Sequence, residues 1–158
     1  MSSEQNIRQR LDALGAGAEL HGYRLERVLG SGSFGITYLA RHKIFNSRHV
    51  IKEFMPDNAM REGGATVRPK SEAQEDQDLF AWGLKSFFEE ARMLNRLSHP
   101  SVVKVTDVFE ANGTAYFVMP WLEGMTLHEW LKNHPRPDQA ALLSLFVPLL
   151  EGLKYIHR

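Results

Sequence analysis

The 158-residue chain is the size of one ordinary domain, and an apolar share of 43% is enough to pack a core. Lys plus Arg equals Asp plus Glu at 19 each, so no basic field gathers nucleic acid and any phosphate recognition has to be local. Cysteine is absent, which excludes disulfide frameworks, thiolate nucleophiles and Cys-based zinc sites. The N-terminus, MSSEQNIRQR, is not followed by the apolar segment of a secretory signal. The longest apolar stretch, 140–150, is interrupted by Ser144 and Pro148 and falls short of a bilayer span. The expectation is a soluble, cytoplasmic chain with no membrane contact.

Residues 1–20 read as an N-terminal extension, with a short helix around Ile7, Leu11 and Leu14 that ends at Gly15 and Gly17, and little there demands packing. From Tyr23 the pattern becomes strand-like and runs to Gly30, where a glycine loop begins. Ile36, Tyr38 and Ala40 alternate with Thr37, Leu39 and Arg41 as a second strand; Asn46-Ser47 turns the chain into a third, His49 to Phe54. Residues 56–78 are polar, with Gly63-Gly64 between two short segments that can pair as a small hairpin. Phe80, Leu84, Phe87, Phe88, Ala91 and Leu94 then fall on one helical stripe, ended by Ser98-His99-Pro100. Strands from Val102 to Phe109 and Ala115 to Met119 flank Asn112-Gly113, the dipeptide of a tight hairpin. Thr126 and Glu129 form a capping box for a helix ending near Asn133, and a longer apolar helix runs from Asp138 to His157. The predicted class is α+β: a five-stranded, mostly antiparallel sheet with one helix over residues 21–122, then two helices over 123–158.

The segment GSGSFG, Gly30 to Gly35, lets the backbone fold tightly and present N–H groups to a phosphate. A dinucleotide fingerprint with the same spacing must open a helix, and a Walker loop needs Lys-Ser or Lys-Thr after its last glycine. Here a strand follows, so the loop joins two antiparallel strands as a flap. Lys52, within VIK on the third strand, needs a partner if half-buried. Glu90 lies three residues from Phe87 and four from Leu94, so it points inward, whereas Glu89 has Lys85 and Arg92 as solvent-face neighbours. An inward lysine and an inward glutamate would form an ion pair of the kind that holds a nucleotide's phosphates. His128-Glu129 followed by His134 breaks the HExxH spacing, and no metal site is expected. Trp82, Trp121 and Trp130 read as packing residues.

GSGSFGIT, VIK, FFEEARMLNRLSHPSVVKV and NGTAYFVMPWLEG, in that order, resemble the N-lobe landmarks of eukaryotic-like protein kinases, and GITYLAR and KEFMP resemble the bacterial serine/threonine kinases. The resemblance covers Tyr23 to His157 and divides the chain into an extension (1–20), an N-lobe with hinge (21–122) and the start of a C-lobe (123–158). It implies ATP as nucleotide, with Lys52 on the α- and β-phosphates, Glu90 paired to it, Leu94 and Val105 in the hydrophobic spine, and Met119 as gatekeeper. Pro120-Trp121-Leu122 would be the hinge; the proline loses only its N–H and keeps its carbonyl for adenine. Leu29, Gly30, Ser31, Gly32, Ser33, Phe34, Gly35, Thr37, Val50, Lys52, Met119, Pro120 and Leu122 would border the nucleotide. Thr37 stands where the family has valine, and Val50 where it has alanine, and both alter the adenine pocket. GLKYIH, 152–157, resembles the end of the long C-lobe helix, so the catalytic loop, the metal-binding Asn and the DFG motif are not expected within this sequence, although the family uses Mg²⁺. The implied function is the ATP-binding portion of a serine/threonine kinase, inactive by itself, that serves protein substrates when complete. The alternative is a non-catalytic, pseudokinase-like module. Without the cover the family gives the 138–157 helix, its leucines would drive homo-oligomer formation.

Overall fold

A computed structural model describes residues 12–157. The elements in chain order are β1 (Glu19–Leu20), β2 (Tyr23–Gly32), β3 (Gly35–His42), β4 (Arg48–Phe54), β5 (Ala59–Glu62), β6 (Thr66–Pro69), α1 (Gln74–Arg96), β7 (Asp107–Ala111), β8 (Thr114–Pro120), α2 (Leu127–Asn133) and α3 (Gln139–Ile156). Six strands form one antiparallel sheet in the order β1-β2-β3-β4-β8-β7, and β5 and β6 pair separately as the hairpin expected around Gly63-Gly64. Asn112 and Gly113 both take positive φ, 54° and 70°, as a two-residue connection between β7 and β8 requires. Gly113 is also pressed against the hairpin: a Cβ there would lie 2.6 Å from the Val67 carbonyl, and Val67 N–H donates to Asn112 O.

Residues opposite one another across strands share a face of the sheet. Register places Thr37, Lys52 and Phe117 in one such row and Leu39, Val50 and Met119 in the next. The other face carries Ile36, Glu53 and Tyr116, then Tyr38, Ile51 and Val118, all buried. Phe87 of α1 stacks on Phe117, and Phe54 reaches both Phe80 and Phe87. Gly83, in the middle of α1, lets the helix close on the sheet, since a Cβ at that position would sit 2.7 Å from the Phe54 ring.

Three expectations change. Residues 12–20 are packed: Leu14 and Leu20 are buried in the core cluster, β1 adds to the sheet, and Gly17 N–H donates to Leu25 O. The rest of the proposed terminal helix, including Ile7 and Leu11, lies outside the described residues. The strand expected from Val102 begins only at Asp107; continued register would set Val105 against Pro120, which has no N–H to give. Helix α1 starts at Gln74, ahead of the apolar stripe, because its first turn, Gln74 to Gln77, is wholly polar. The capping box forms as read: Thr126 Oγ1 accepts from Glu129 N–H, and the Glu129 carboxylate accepts from Thr126 N–H.

The last glycine of the loop has a packing duty the others lack. A Cβ on Gly35 would fall 2.1 Å from the Glu53 carbonyl oxygen, while at Gly30 and Gly32 it would meet nothing within 4 Å. Gly35→Ala is expected to lower the thermal midpoint by about 6–10 °C, the scale of an overpacked backbone contact, while Gly32→Ala stays within about 2 °C. Equal midpoints in thermal melts would show that β3 does not approach β4 this closely.

Candidate functional site

Lys52 and Glu90 meet across the gap between β4 and α1, with Nζ 3.4 Å from Oε1. Lys52 Nζ also lies 5.3 Å from the centre of the Phe117 ring and 5.9 Å from that of Phe87, near the outer limit for a cation–π contact. Glu89 faces away, 4.0 Å from Lys85 on the preceding turn. Helical period therefore separates the two acids as the apolar stripe requires. Glu90 is less covered than an inward position suggests, since its side chain keeps 45% exposure and that of Lys52 keeps 30%. A pair this long and this wet contributes about 0–1 kcal/mol. It can mark a position in the cleft, but it cannot hold one.

The glycine segment forms the tip of the β2–β3 hairpin, with Gly30 opposite Thr37, Ser31 opposite Ile36 and Gly32 opposite Gly35, leaving Ser33 and Phe34 at the turn. The register shifts between Val28 and Gly30, which leaves Leu29 in a bulge. The tip is tied to the chain after β4, since Met55 N–H donates to Phe34 O and Asp57 N–H to Ser33 O, while the Phe34 ring is 76% exposed. Thr37, Val50, Lys52 and Met119 share the α1-side face of the sheet; Pro120 ends β8 opposite His49, and Leu122 follows, largely exposed. The open space at Gly30 and Gly32, the ammonium of Lys52 and the small apolar rows beside it suit a ligand with a phosphate end and a flat apolar end. Among the described residues, no three His, Asp or Glu side chains group as metal ligands.

The sequence reading missed the most buried ionic group. Glu53, next to Lys52 but on the opposite face of β4, is fully buried. Its Oε2 accepts from Tyr38 Oη at 2.7 Å and Arg61 Nη2 at 2.8 Å, and its Oε1 from Tyr116 Oη at 2.7 Å. Arg61, on β5, further donates to Asp12 O at 2.6 Å and Ala65 O at 2.7 Å, and Leu14 N–H donates to Tyr38 Oη. Burial, together with the Glu53 charge, pushes both tyrosine hydroxyls far above their usual range. Burial works against the Arg61 charge, but the hydrogen bond and charge of Glu53 outweigh it and raise its pKa. Removing one partner from such a buried ionic group costs about 3–5 kcal/mol. The signal was present in the strand itself: in Ile51-Lys52-Glu53-Phe54, a lysine facing the cleft forces the next residue into the core.

Comparison with known proteins gives the site a context. The chain is 28% identical over 138 residues to a probable serine/threonine-protein kinase, YbdM, of Bacillus subtilis (strain 168), covering 87% of this chain and 46% of that one. It is 32% identical over 135 residues to the serine/threonine-protein kinase pkn2 of Myxococcus xanthus, covering 85% and 14%. It thus spans less than half the length of either curated relative. Among solved structures, the apo form of PpkA-294 superposes with a TM-score of 0.72 at 33% identity, over 78% of this chain and 44% of that one. The PknI kinase domain of Mycobacterium tuberculosis shares the fold, with a TM-score of 0.63 at 24% identity over 92% of this chain and 51% of that one. Residues 23–158 match the protein kinase domain, and the chain belongs to that family, with bacterial serine/threonine kinases among its relatives.

Proposed function

We propose that this chain is the ATP-binding part of a serine/threonine protein kinase, whose complete form transfers the γ-phosphoryl group of ATP to Ser or Thr of protein substrates. The observation that carries the reading is the joint placement of Lys52, paired to Glu90, and a glycine hairpin whose Cβ positions at Gly30 and Gly32 stand open, at one end of one sheet face. In this role Lys52 would meet the α- and β-phosphates, with Glu90 setting its direction. The N–H groups of residues 30–35 would cover the phosphates, and Thr37, Val50 and Met119 would line the base pocket. ATP supplies the phosphoryl group. Mg²⁺ belongs to the reading as a family property, and the described residues offer it no ligand set.

Isothermal titration of the 158-residue chain with ATP tests this directly. Lys52→Met is expected to weaken binding about 10- to 100-fold, the worth of one charge-assisted contact. Equal affinity of the two proteins would overturn the assignment of Lys52. The 158 residues contain neither an H-R-D nor a D-F-G sequence, so radiolabelled ATP should give no phosphotransfer above background. Any transfer that Lys52→Met abolishes would contradict this. If a longer form of the protein bound ATP and transferred nothing, the pseudokinase-like alternative would take over.

Helix α3 belongs to the same proposal. It is 18 residues long with a mean hydropathy of 1.3, long and apolar enough to cross a membrane by composition, and only 6% of it is buried. We take it as a lobe helix. It lies within the family match and is clasped by the turn after α1: Ser101 Oγ donates to Pro148 O, Ser98 N–H donates to Tyr155 Oη, and His99 stacks on Tyr155. Leu143, Phe146, Val147, Leu150 and Leu153 remain exposed, and such a face drives association at about 25 cal/mol per Å² covered. For the 158-residue chain in isolation the cover is a second copy. Sedimentation equilibrium across micromolar concentrations should show a dimer or larger species, and Leu150→Glu should shift it toward monomer; a concentration-independent monomer would exclude the contact.

A further inference from the structure

The half-exposed pair of Lys52 and Glu90 is too weak to fix the lysine, yet the proposed nucleotide site depends on where that lysine sits. What holds its strand lies on the other side of the sheet. Glu53 is the next residue along β4, and three donors from three different places converge on its carboxylate: Tyr38 from β3, Tyr116 from β8 and Arg61 from the β5–β6 hairpin. Tyr38 and Tyr116 come from the two strands that flank β4 in the sheet, Tyr116 directly opposite Glu53 and Tyr38 diagonally, opposite Ile51, so the carboxylate ties β4 to both neighbours. The backbone carbonyl of the same residue, Glu53, is the atom that Gly35 approaches. Arg61 in turn holds Asp12 O, and Tyr38 accepts from Leu14 N–H, so the segment before β1 closes the network from outside.

We infer that Glu53 is a positioning residue for the nucleotide site: through Tyr38, Tyr116 and Arg61 it fixes the strand that aims Lys52 into the cleft. The role concerns the seat of Lys52 between Glu90, Phe87 and Phe117, whatever ligand the cleft takes; that the ligand is ATP rests on the function proposed above. A residue that served only the core would alter stability and leave that seat unchanged.

The test uses the 158-residue chain and its variants Glu53→Gln, Arg61→Met and the milder Tyr116→Phe, with Glu90→Gln as reference. Each is treated with N-acetoxysuccinimide well below its own thermal midpoint, and acetylation of Lys52 is followed by mass spectrometry relative to Lys85, which is 76% exposed. Glu90→Gln should speed labelling of Lys52, since it removes the pair directly. The network variants should speed it by roughly fivefold, the equilibrium factor for losing one half-exposed ion pair and one cation–π contact. An unchanged Lys52-to-Lys85 ratio in the network variants that remain folded would overturn the inference, and Tyr116→Phe provides that comparison if the two charge variants do not fold. ATP titration of the same proteins separates the two proposals. If labelling responds and the unmodified chain binds no ATP, the positioning role stands and the nucleotide assignment falls. If the chain binds ATP and neither labelling nor affinity responds to the network variants, the positioning role falls alone.

Discussion

The buried carboxylate of Glu53 is the constraint around which the described molecule is arranged. A charge with no exposed surface is tolerable only if its oxygens are fully engaged, and here two hydroxyls and a guanidinium engage them. To deliver those donors, the chain must bring together β3, β4, β8, the β5–β6 hairpin and the segment before β1. Hydrophobic burial would accept many arrangements of Ile36, Ile51 and Val118, but the directional bonds to Glu53 admit few. This is how a polar group contributes specificity to a sheet whose inner face is otherwise mostly apolar.

The cleft depends on the same strand, because alternate residues of β4 serve opposite faces. Ile51 and Glu53 are committed to the packed side, and Val50 and Lys52 are thereby presented to the open one. The glycine hairpin follows the same division. Gly35 serves closeness to Glu53, whereas a Cβ on Gly30 or Gly32 would meet only open space. Three glycines in six residues thus have two different reasons for being there.

Most of the elements were legible in the sequence, because period and turn chemistry are local. Alternation at Ile36, Tyr38 and Ala40, the stripe from Phe80 to Leu94, Asn112-Gly113 and the Thr126–Glu129 box all correspond to elements that form. The meeting of Lys52 with Glu90, and not Glu89, could be read from the helix stripe alone. Their half-exposure could not, since it depends on what else faces the cleft. The Glu53 network was hidden for a different reason: Arg61 sits in a polar connection that composition assigns to solvent, and Leu14 lies in a segment rich in Gly and Ala, so neither announced a core position. Tyr38, read only as an apolar member of its strand, carried the unused clue, because a buried phenol needs a hydrogen-bond partner.

Gly83 has a bearing on α1 itself. Glycine lowers helicity by about 1 kcal/mol relative to alanine, so the helix has its weakest link between Trp82 and Leu84, at the point where the Phe54 ring presses on it. The first turn has no side-chain cap, since the Ala73 methyl cannot accept a hydrogen bond, and Glu75 and Asp76 are what favour the helix start there. The N-terminal half of α1 therefore leans on the contact at Gly83, and the contact is with a residue two places from Lys52. Phe54, packed on Gly83, Phe80 and Phe87, therefore joins the seating of this helix to the strand that carries Lys52.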